Sequence, residues 1–232
     1  MTSMMKTRPL SNSMKEITIK GLLPLVFQGM ETSDRITKSD VWLVPELTFR
    51  KGCKVCVQAE SGGGKTSLLN FIFGARRDYA GDIFFDGRNI KRLSVSEWCA
   101  VRQCNIAMLP QELKLFPELT VMQNLRMKNN LTWHMTDDEL HSMLRRLDIE
   151  AKADVRAGLL SVGQQQRVAL IRSLCQPFDF ILLDEPVSHL DRNNNLIIAR
   201  MIEEVASAQG AGIISTSVGN PLLLSDAQII NL

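Results

Sequence analysis

The chain has 232 residues, of which 45% are hydrophobic and 22% charged, and its 27 basic and 25 acidic residues give a formal net charge of +2. This composition is typical of a folded globular protein and excludes disordered and collagen-like chains. The basic residues form scattered short pairs, which argues against a nucleic-acid partner, and the five cysteines favour reduced cytosolic thiols. No run approaches the roughly 20 apolar residues of a membrane span. We therefore expect any membrane contact to be made through a partner.

The first recognisable structured segment begins at Met14. Residues 1–13 are predicted to form a loose extension ahead of one domain over residues 14–232. Short apolar runs bounded by turn residues then predict β-strands, and the runs at 180–183 and 212–216 are apolar on both faces, as in parallel strands covered by helices. We therefore predict an α/β layered fold. The predicted strands are 54–58, 82–85, 105–109, 180–183, 212–216 and 228–232.

Four peptides carry the pattern of a capping box, in which side chains satisfy the free amides at a helix start. After the third of them, apolar residues recur at helical spacing and predict a stripe that faces the core. The segment 112–160 has helical signals without a convincing strand, so we predict an inserted helical subdomain there. The boxes begin at Ser94, Thr120, Thr136 and Ser161, and the apolar stripe consists of Leu140, Met143, Leu144 and Leu147.

A glycine-rich loop lies directly after the predicted strand 54–58 and before an apolar helical run. Residues 59–67 read Ala-Glu-Ser-Gly-Gly-Gly-Lys-Thr-Ser, which is a phosphate-binding P-loop in its required context, except that Ala59 replaces the first glycine. Amides at the helix start would hold phosphate oxygens, Lys65 would reach the β- and γ-phosphates, and Thr66 would offer a hydroxyl to Mg²⁺. A simple glycine-rich turn is the alternative. The predicted nucleotide-binding residues are Ser61, Gly62, Gly63, Gly64, Lys65, Thr66 and Ser67.

The apolar run 180–183 ends in two adjacent acids, Asp184 and Glu185. Open α/β sheets bind their ligands at the carboxyl ends of the strands. Neighbouring strand residues point to opposite faces, so we predict that Asp184 binds Mg²⁺ and that Glu185 activates the attacking water. An acidic strand end is common, and this pattern alone is only moderately specific.

The peptide Leu-Ser-Val-Gly-Gln-Gln-Gln-Arg-Val, residues 160–168, lies one helix ahead of the acidic pair. In a chain that also contains a P-loop, this peptide resembles the signature peptide of the ATP-binding cassette (ABC) ATPase family, with Val162 in place of the first signature glycine. The resemblance extends from about Met14 to Leu232. It implies a P-loop NTPase fold with a mixed sheet core, an antiparallel β subdomain and an inserted helical subdomain.

The resemblance also implies a head-to-tail dimer that binds two nucleotides. Ser161 caps a helix whose free amides form a second anion site, and in the family this site contacts ATP held by the second protomer. We therefore expect Ser161, Gly163 and Gln164 to bind the partner's nucleotide. Gln111 matches the family's glutamine loop, which senses Mg²⁺ and the attacking water and connects to the transmembrane partner. Residues 188–191 match the loop that communicates across the dimer.

An aromatic ring upstream of the P-loop stacks on adenine in this family. Phe27 and Trp42 are the candidates, and Phe27 is preferred because it follows the first strand-like segment. Ordinary core packing is the alternative for each ring.

The main departure from the family pattern is Ser217, which stands where the family has a switch histidine. A serine is shorter and uncharged, so stabilisation of the transferring phosphoryl group is expected to weaken. Loss of one such donor typically costs about 2.7–4 kcal/mol in other enzymes. By sequence position His189 is the only conceivable substitute, and a surface loop residue is the alternative interpretation.

These patterns predict an ATP-binding subunit of an ABC transporter, with Lys65, Glu185 and Gln111 catalytic and Thr66, Gln111 and Asp184 holding Mg²⁺. Its partners would be a separate permease and a second cassette, either identical or different. It would be located in the cytoplasm, bound to the inner face of the cell membrane through the permease. Residues 113–125 resemble cassettes of the lipoprotein-release and macrolide-efflux group. The alternative is a hydrolysis-poor cassette that acts as an ATP-gated clamp; a cassette acting on nucleic acid or ribosomes is disfavoured. The pair Cys53 and Cys56 is interpreted as structural.

Overall fold

Five parallel strands form the sheet that carries the glycine-rich loop and the acidic pair. The computed structural model describes residues 13–188 and 190–232, and within them the parallel sheet has the order β6-β7-β8-β3-β9. The central strands β7 and β8 are buried along their whole length, as their two-sided apolar sequences predict. The strands are β3 (Lys54–Gln58), β6 (Ile106–Leu109), β7 (Phe180–Leu183), β8 (Gly212–Ser217) and β9 (Gln228–Asn231).

Four antiparallel strands form a second sheet with the order β2-β1-β4-β5. The pairings of β1 with β2 and with β4 join segments that are distant in the chain, and the apolar patterns of the sequence predict neither β2 nor β5. A register shift between Lys20 and Leu23 interrupts the pairing of β1 with β4, and Gly21 takes a φ of +53° there. The strands are β1 (Glu16–Pro24), β2 (Leu47–Arg50), β4 (Tyr79–Phe85) and β5 (Arg88–Asn89). The chain therefore has an antiparallel and a parallel sheet, as the predicted fold class requires.

All four predicted capping boxes are present at helix starts, which confirms that signal. In each box the serine or threonine side chain accepts a hydrogen bond from the N3 backbone amide. The N3 side chain in turn accepts a hydrogen bond from the N-cap backbone amide. The α-helices are α1 (Asp34–Thr37), α2 (Lys65–Ile72), α3 (Val95–Cys104), α4 (Val121–Asn129), α5 (Asp137–Arg146), α6 (Val162–Leu174) and α7 (Arg192–Gln209). Short 3-10 helices cover Leu25–Phe27, Ile90–Arg92, Glu150–Lys152 and Ala157–Leu159.

Two hydrophobic cores lie on opposite sides of the parallel sheet. One packs α4, α5, α6 and α7 against the sheet, and the predicted stripe of α5 is buried within it. The other packs α2 and the antiparallel sheet against the opposite face. Among the described residues, no helix is both long enough and apolar enough to cross a membrane.

The predicted loose extension lies almost wholly outside the described residues. Residues 1–12 are not described, whereas Ser13 is held by a 2.8 Å hydrogen bond from its hydroxyl to Asp179 Oδ1. Ser13 therefore belongs to the folded domain.

Candidate nucleotide site

The glycine-rich loop connects β3 directly to α2, so the amides of the helix start open into the loop. Gly62 and Gly64 adopt positive φ angles of +80° and +96°, which only glycine takes without strain. Gly64 is the N-cap of α2, and no side chain caps that helix. An uncapped helix start with free amides is the arrangement that binds phosphate.

Lys65 is folded back onto its own loop. Its side chain is 4% exposed, and Nζ donates to the carbonyl oxygens of Ala59 and Glu60, each at 3.0 Å. The same Nζ lies 3.7 Å from Glu185 Oε1. The predicted phosphate-binding lysine and the predicted general base thus share one site, and phosphate oxygens would have to replace these partners.

Ala59 is accommodated because Gly63 lies directly beside it. A Cβ placed on Gly63 would lie 2.7 Å from Ala59 Cβ, closer than real Cβ contacts. The methyl group of Ala59 therefore occupies space that a side chain at position 63 would need. The loop keeps its turn without the motif's first glycine.

The two acids occupy different environments at the end of β7. Asp184 is buried, its Oδ1 accepts a 2.8 Å hydrogen bond from Thr216 Oγ1, and its Oδ2 is buried without a hydrogen-bond partner. Glu185 has a φ of +49°, an uncommon conformation for a side-chain-bearing residue, and its amide donates to Thr216 Oγ1 at 3.0 Å. One carboxylate thus has a free, desolvated oxygen, while the other turns toward Lys65.

Mg²⁺ fits the residues that the structure provides. An unpartnered buried carboxylate oxygen is costly unless a ligand completes it, and carboxylate and hydroxyl oxygens are ligands that Mg²⁺ prefers. Thr66 lies exposed on the first turn of α2, and Gln111 is exposed in the turn that follows β6. Ser67, by contrast, already accepts a hydrogen bond from Arg76 at 2.9 Å.

Ser217 is the last residue of β8 and pairs with Gln58 in register, beside the entry to the P-loop. Its side chain is 2% exposed, and its hydroxyl has no hydrogen-bond partner among the described residues. The position at which the family pattern has a switch histidine is therefore occupied by a small buried side chain beside the P-loop. His189 lies outside the described residues.

The structure does not offer Phe27 as an open stacking platform. Phe27 is 6% exposed, packs edge-on against Trp42 at 6.3 Å between ring centroids, and has Arg35 over its ring. Both rings lie against Gly64, and Trp42 Nε1 donates to Gly63 O at 3.4 Å. Core packing is therefore the better interpretation of both rings, because they pack against the glycines of the P-loop.

The signature peptide forms the exposed start of α6. Ser161 Oγ accepts from the Gln164 amide at 3.3 Å, and Gln164 Oε1 accepts from the Ser161 amide at 3.0 Å. Val162 is exposed, and a Cβ on Gly163 would meet nothing within 4 Å. Ser161 and Val162 are both exposed, so this helix start is accessible to another molecule.

Sequence reasoning missed Thr216, which contacts both acids. The available signal was a polar residue in a buried strand, directly before the predicted switch position. The structural interpretation of Cys53 and Cys56 is supported: burial raises the pKa of Cys53 to about 11 and also raises that of Cys56.

The sequence profile described as "ABC transporter" matches residues 45–188, more than half of the chain. The chain belongs to the ABC transporter family. This ABC cassette is 30% identical over 164 residues to the lipoprotein-releasing system ATP-binding protein LolD of Buchnera aphidicola subsp. Schizaphis graminum, covering 69% of this chain and 72% of LolD. It is 33% identical to the phosphonates import ATP-binding protein PhnC 2 of Synechococcus sp., covering 86% and 76% of the two chains. The expected ATP-binding cassette is confirmed.

Longer relatives match over only part of their length. The macrolide export ATP-binding/permease protein MacB of Rhodopseudomonas palustris is 33% identical over 163 residues, which cover 69% of the cassette but 25% of MacB. Among solved structures, the dimeric bacterial ABC transporter cassette MJ0796 superimposes with a TM-score of 0.73 at 22% identity, covering 93% and 94% of the chains. This similarity confirms the predicted fold class.

Proposed function

We propose that this ABC cassette binds Mg-ATP between two protomers, hydrolyses it and drives a separate membrane permease. The observation that carries the proposal is the convergence of Lys65, Asp184 and Glu185, with Glu185 Oε1 3.7 Å from Lys65 Nζ. A module that only held two proteins together would not need an acid beside its phosphate-binding lysine. The LolD and MacB relatives support a cassette of the lipoprotein-release and macrolide-efflux type.

The chain's own residues account for binding and for proton transfer. Lys65 exchanges its carbonyl partners for phosphate oxygens, and the free amides of α2 hold the β-phosphate. Thr66, Asp184 and Gln111 would hold Mg²⁺, which when bound neutralises charge on the phosphates. Glu185 then loses Lys65 as a neighbour and is free to orient the attacking water and accept its proton.

The second half of each nucleotide site comes from the other protomer in this proposal. The start of α6 presents Ser161, Gly163 and free helix amides to solvent, and its dipole favours a negative ligand. Val162 adds an exposed methyl surface at the first signature position. The dimer of the structurally similar cassette MJ0796 supports this arrangement.

Slow hydrolysis follows from Ser217 in this proposal. The short hydroxyl carries no charge, so it stabilises the transferring phosphoryl group less than an imidazole would. An ATP-gated clamp is the extreme form of the same arrangement, in which ATP closes the dimer but is not cleaved.

A groove between β6, α4 and α6 provides the proposed permease contact. It encloses about 250 Å³ next to Pro110, which precedes Gln111, and apolar side chains such as Phe116 and Met127 line it. The groove therefore lies beside the glutamine loop and presents an apolar surface.

Two cations, Lys128 and Arg172, also line this groove. Burial lowers the pKa of both, and within the described part of the chain no carboxylate lies close enough to raise either pKa. Arg172 donates instead to the Leu113 carbonyl at 3.0 Å. A partly buried cation is stabilised by an opposite charge, so the groove would receive an apolar permease segment that carries an acidic side chain.

ATP binding and dimerisation of the isolated chain test the nucleotide site. We expect Glu185→Gln to bind Mg-ATP and to shift from monomer to dimer in light scattering, because ATP is held but not cleaved. Lys65→Ala should lose both binding and the shift. ATP binding by Lys65→Ala at the wild-type affinity would contradict the proposed site.

A further inference from the structure

One threonine hydroxyl contacts both acids of the nucleotide site. Thr216 lies near the end of β8, next to β7 in the sheet, and its side chain is 1% exposed. Its Oγ1 lies 2.8 Å from Asp184 Oδ1 and 3.0 Å from the Glu185 amide nitrogen. The amide can only donate and an ionised carboxylate can only accept, so the hydroxyl proton points to Asp184 and a lone pair faces Glu185.

The bond to Asp184 selects which carboxylate oxygen remains free. Oδ1 is engaged by the threonine, whereas Oδ2 is buried without a hydrogen-bond partner among the described residues. A charge-assisted bond in a buried setting holds the carboxylate in one orientation. Thr216 thereby keeps one oxygen of Asp184 available to a ligand.

The bond from the Glu185 amide anchors an unfavourable backbone conformation. Glu185 has a φ of +49°, and such residues persist only where the surrounding structure holds them. This conformation accompanies the approach of Glu185 Oε1 to within 3.7 Å of Lys65 Nζ. Loss of the threonine hydroxyl would leave the amide without this acceptor and let the peptide rotate.

We propose that Thr216 is a positioning residue that sets the orientation of both acids through a single hydroxyl. The inference rests on the proposed Mg-ATP hydrolysis and deepens it. Thr216 itself contacts neither ATP nor the water in this proposal. It acts through Asp184 on Mg²⁺ affinity and through Glu185 on turnover.

Three substitutions separate the hydroxyl from the packing of the side chain. Thr216→Val keeps the shape and removes the hydroxyl, and Thr216→Ser keeps the hydroxyl and removes the methyl group. Ser215→Ala is the matched control, because Ser215 is a buried residue on the same strand whose hydroxyl donates to the Val55 carbonyl at 3.3 Å, away from both acids. Thr216→Ala replaces Thr216→Val if the valine variant does not fold.

For Thr216→Val we expect kcat to fall at least tenfold while the KM for ATP changes less than twofold. The Mg²⁺ concentration that half-saturates ATP binding should rise at least threefold. Thr216→Ser should restore both quantities to within about threefold of wild type, and Ser215→Ala should match wild type. Equal losses in Thr216→Ser and Thr216→Val would overturn the inference, since they would assign the effect to packing.

The Mg²⁺ measurement also separates this inference from the proposed function. If the wild-type chain bound Mg-ATP without turnover above Glu185→Gln, hydrolysis would fail as the function. The Mg²⁺ half-saturation point would then decide the role of Thr216. If Thr216→Val left the Mg²⁺ half-saturation concentration unchanged, the positioning role of Thr216 would be overturned. If Thr216→Val raised that concentration and Thr216→Ser restored it, the role would be supported.

Discussion

The main functional question about this cassette, how fast it hydrolyses ATP, concerns one side chain, that of Ser217. Its hydroxyl is buried beside the P-loop entry and has no hydrogen-bond partner among the described residues. The sequence was sufficient to locate this position, because the motif spacing after Asp184 and Glu185 places it at the end of the next strand. It could not show that Thr216, one residue earlier, holds both acids, since that contact joins two strands distant in the chain.

We expect Ser217→His to raise ATP turnover in the permease complex by at least tenfold. An imidazole would add a donor to the transferring phosphoryl group, and one such donor is worth about 10²–10³ in kcat in other enzymes. Ser217→Ala is the control, and its melting temperature measured without nucleotide should be unchanged or higher. Turnover of Ser217→His equal to wild type, with ATP still bound, would show that the missing histidine is not limiting.

Helices and strands can be predicted from the sequence where the residues that determine them are close together in the chain. Each capping box lies within four residues, and each begins a helix in the structure. By contrast, most of β1 depends on antiparallel partners far along the chain. The strand β5 pairs with β4 across a turn at Asp86 and Gly87, but its two residues are too few for an apolar pattern to show. The position of Phe27 after a strand favours adenine stacking, but its burial follows from tertiary contacts with Trp42 and the P-loop, which the local sequence does not show.

Two cations, Lys128 and Arg172, line the groove between β6, α4 and α6. Reversal of its charge in Lys128→Glu or Arg172→Glu should weaken the association with an acidic permease segment at least tenfold. Lys38→Glu is the control, because Lys38 forms an exposed ion pair with Asp34 on α1. Co-purification with the permease and ATP binding by the isolated variant would be measured together. Normal co-purification of both groove variants would contradict the proposed contact.

Asp179 connects distant parts of the whole molecule at one buried carboxylate. It accepts hydrogen bonds from the Met14 amide at 2.8 Å, from Asn105 Nδ2 at 2.7 Å and from Lys51 Nζ at 2.6 Å. These groups come from the segments next to β1, β2 and β6, so the carboxylate links both sheets. No local pattern could predict this junction, because Met14 and Asp179 are 165 positions apart.

We expect Asp179→Asn to lower the free energy of unfolding by about 3–5 kcal/mol, because it leaves the largely buried Lys51 ammonium without its counter-charge. Asp34→Ala removes an ion pair whose two side chains are mostly exposed and should cost only about 0.3–0.5 kcal/mol. Urea unfolding of both variants measures the difference. Equal stability of the two variants would show that Asp179 does not hold the sheets together.

Steady-state Mg-ATP hydrolysis by the purified complex with the permease tests the central claim most directly. The measurement compares the wild-type cassette with Glu185→Gln and Lys65→Ala. We expect clear turnover in wild type and its loss in both variants, because one variant removes the proton acceptor and the other the phosphate-binding cation. ATP binding by wild type with no turnover above either variant would contradict a transport motor and identify an ATP-gated clamp.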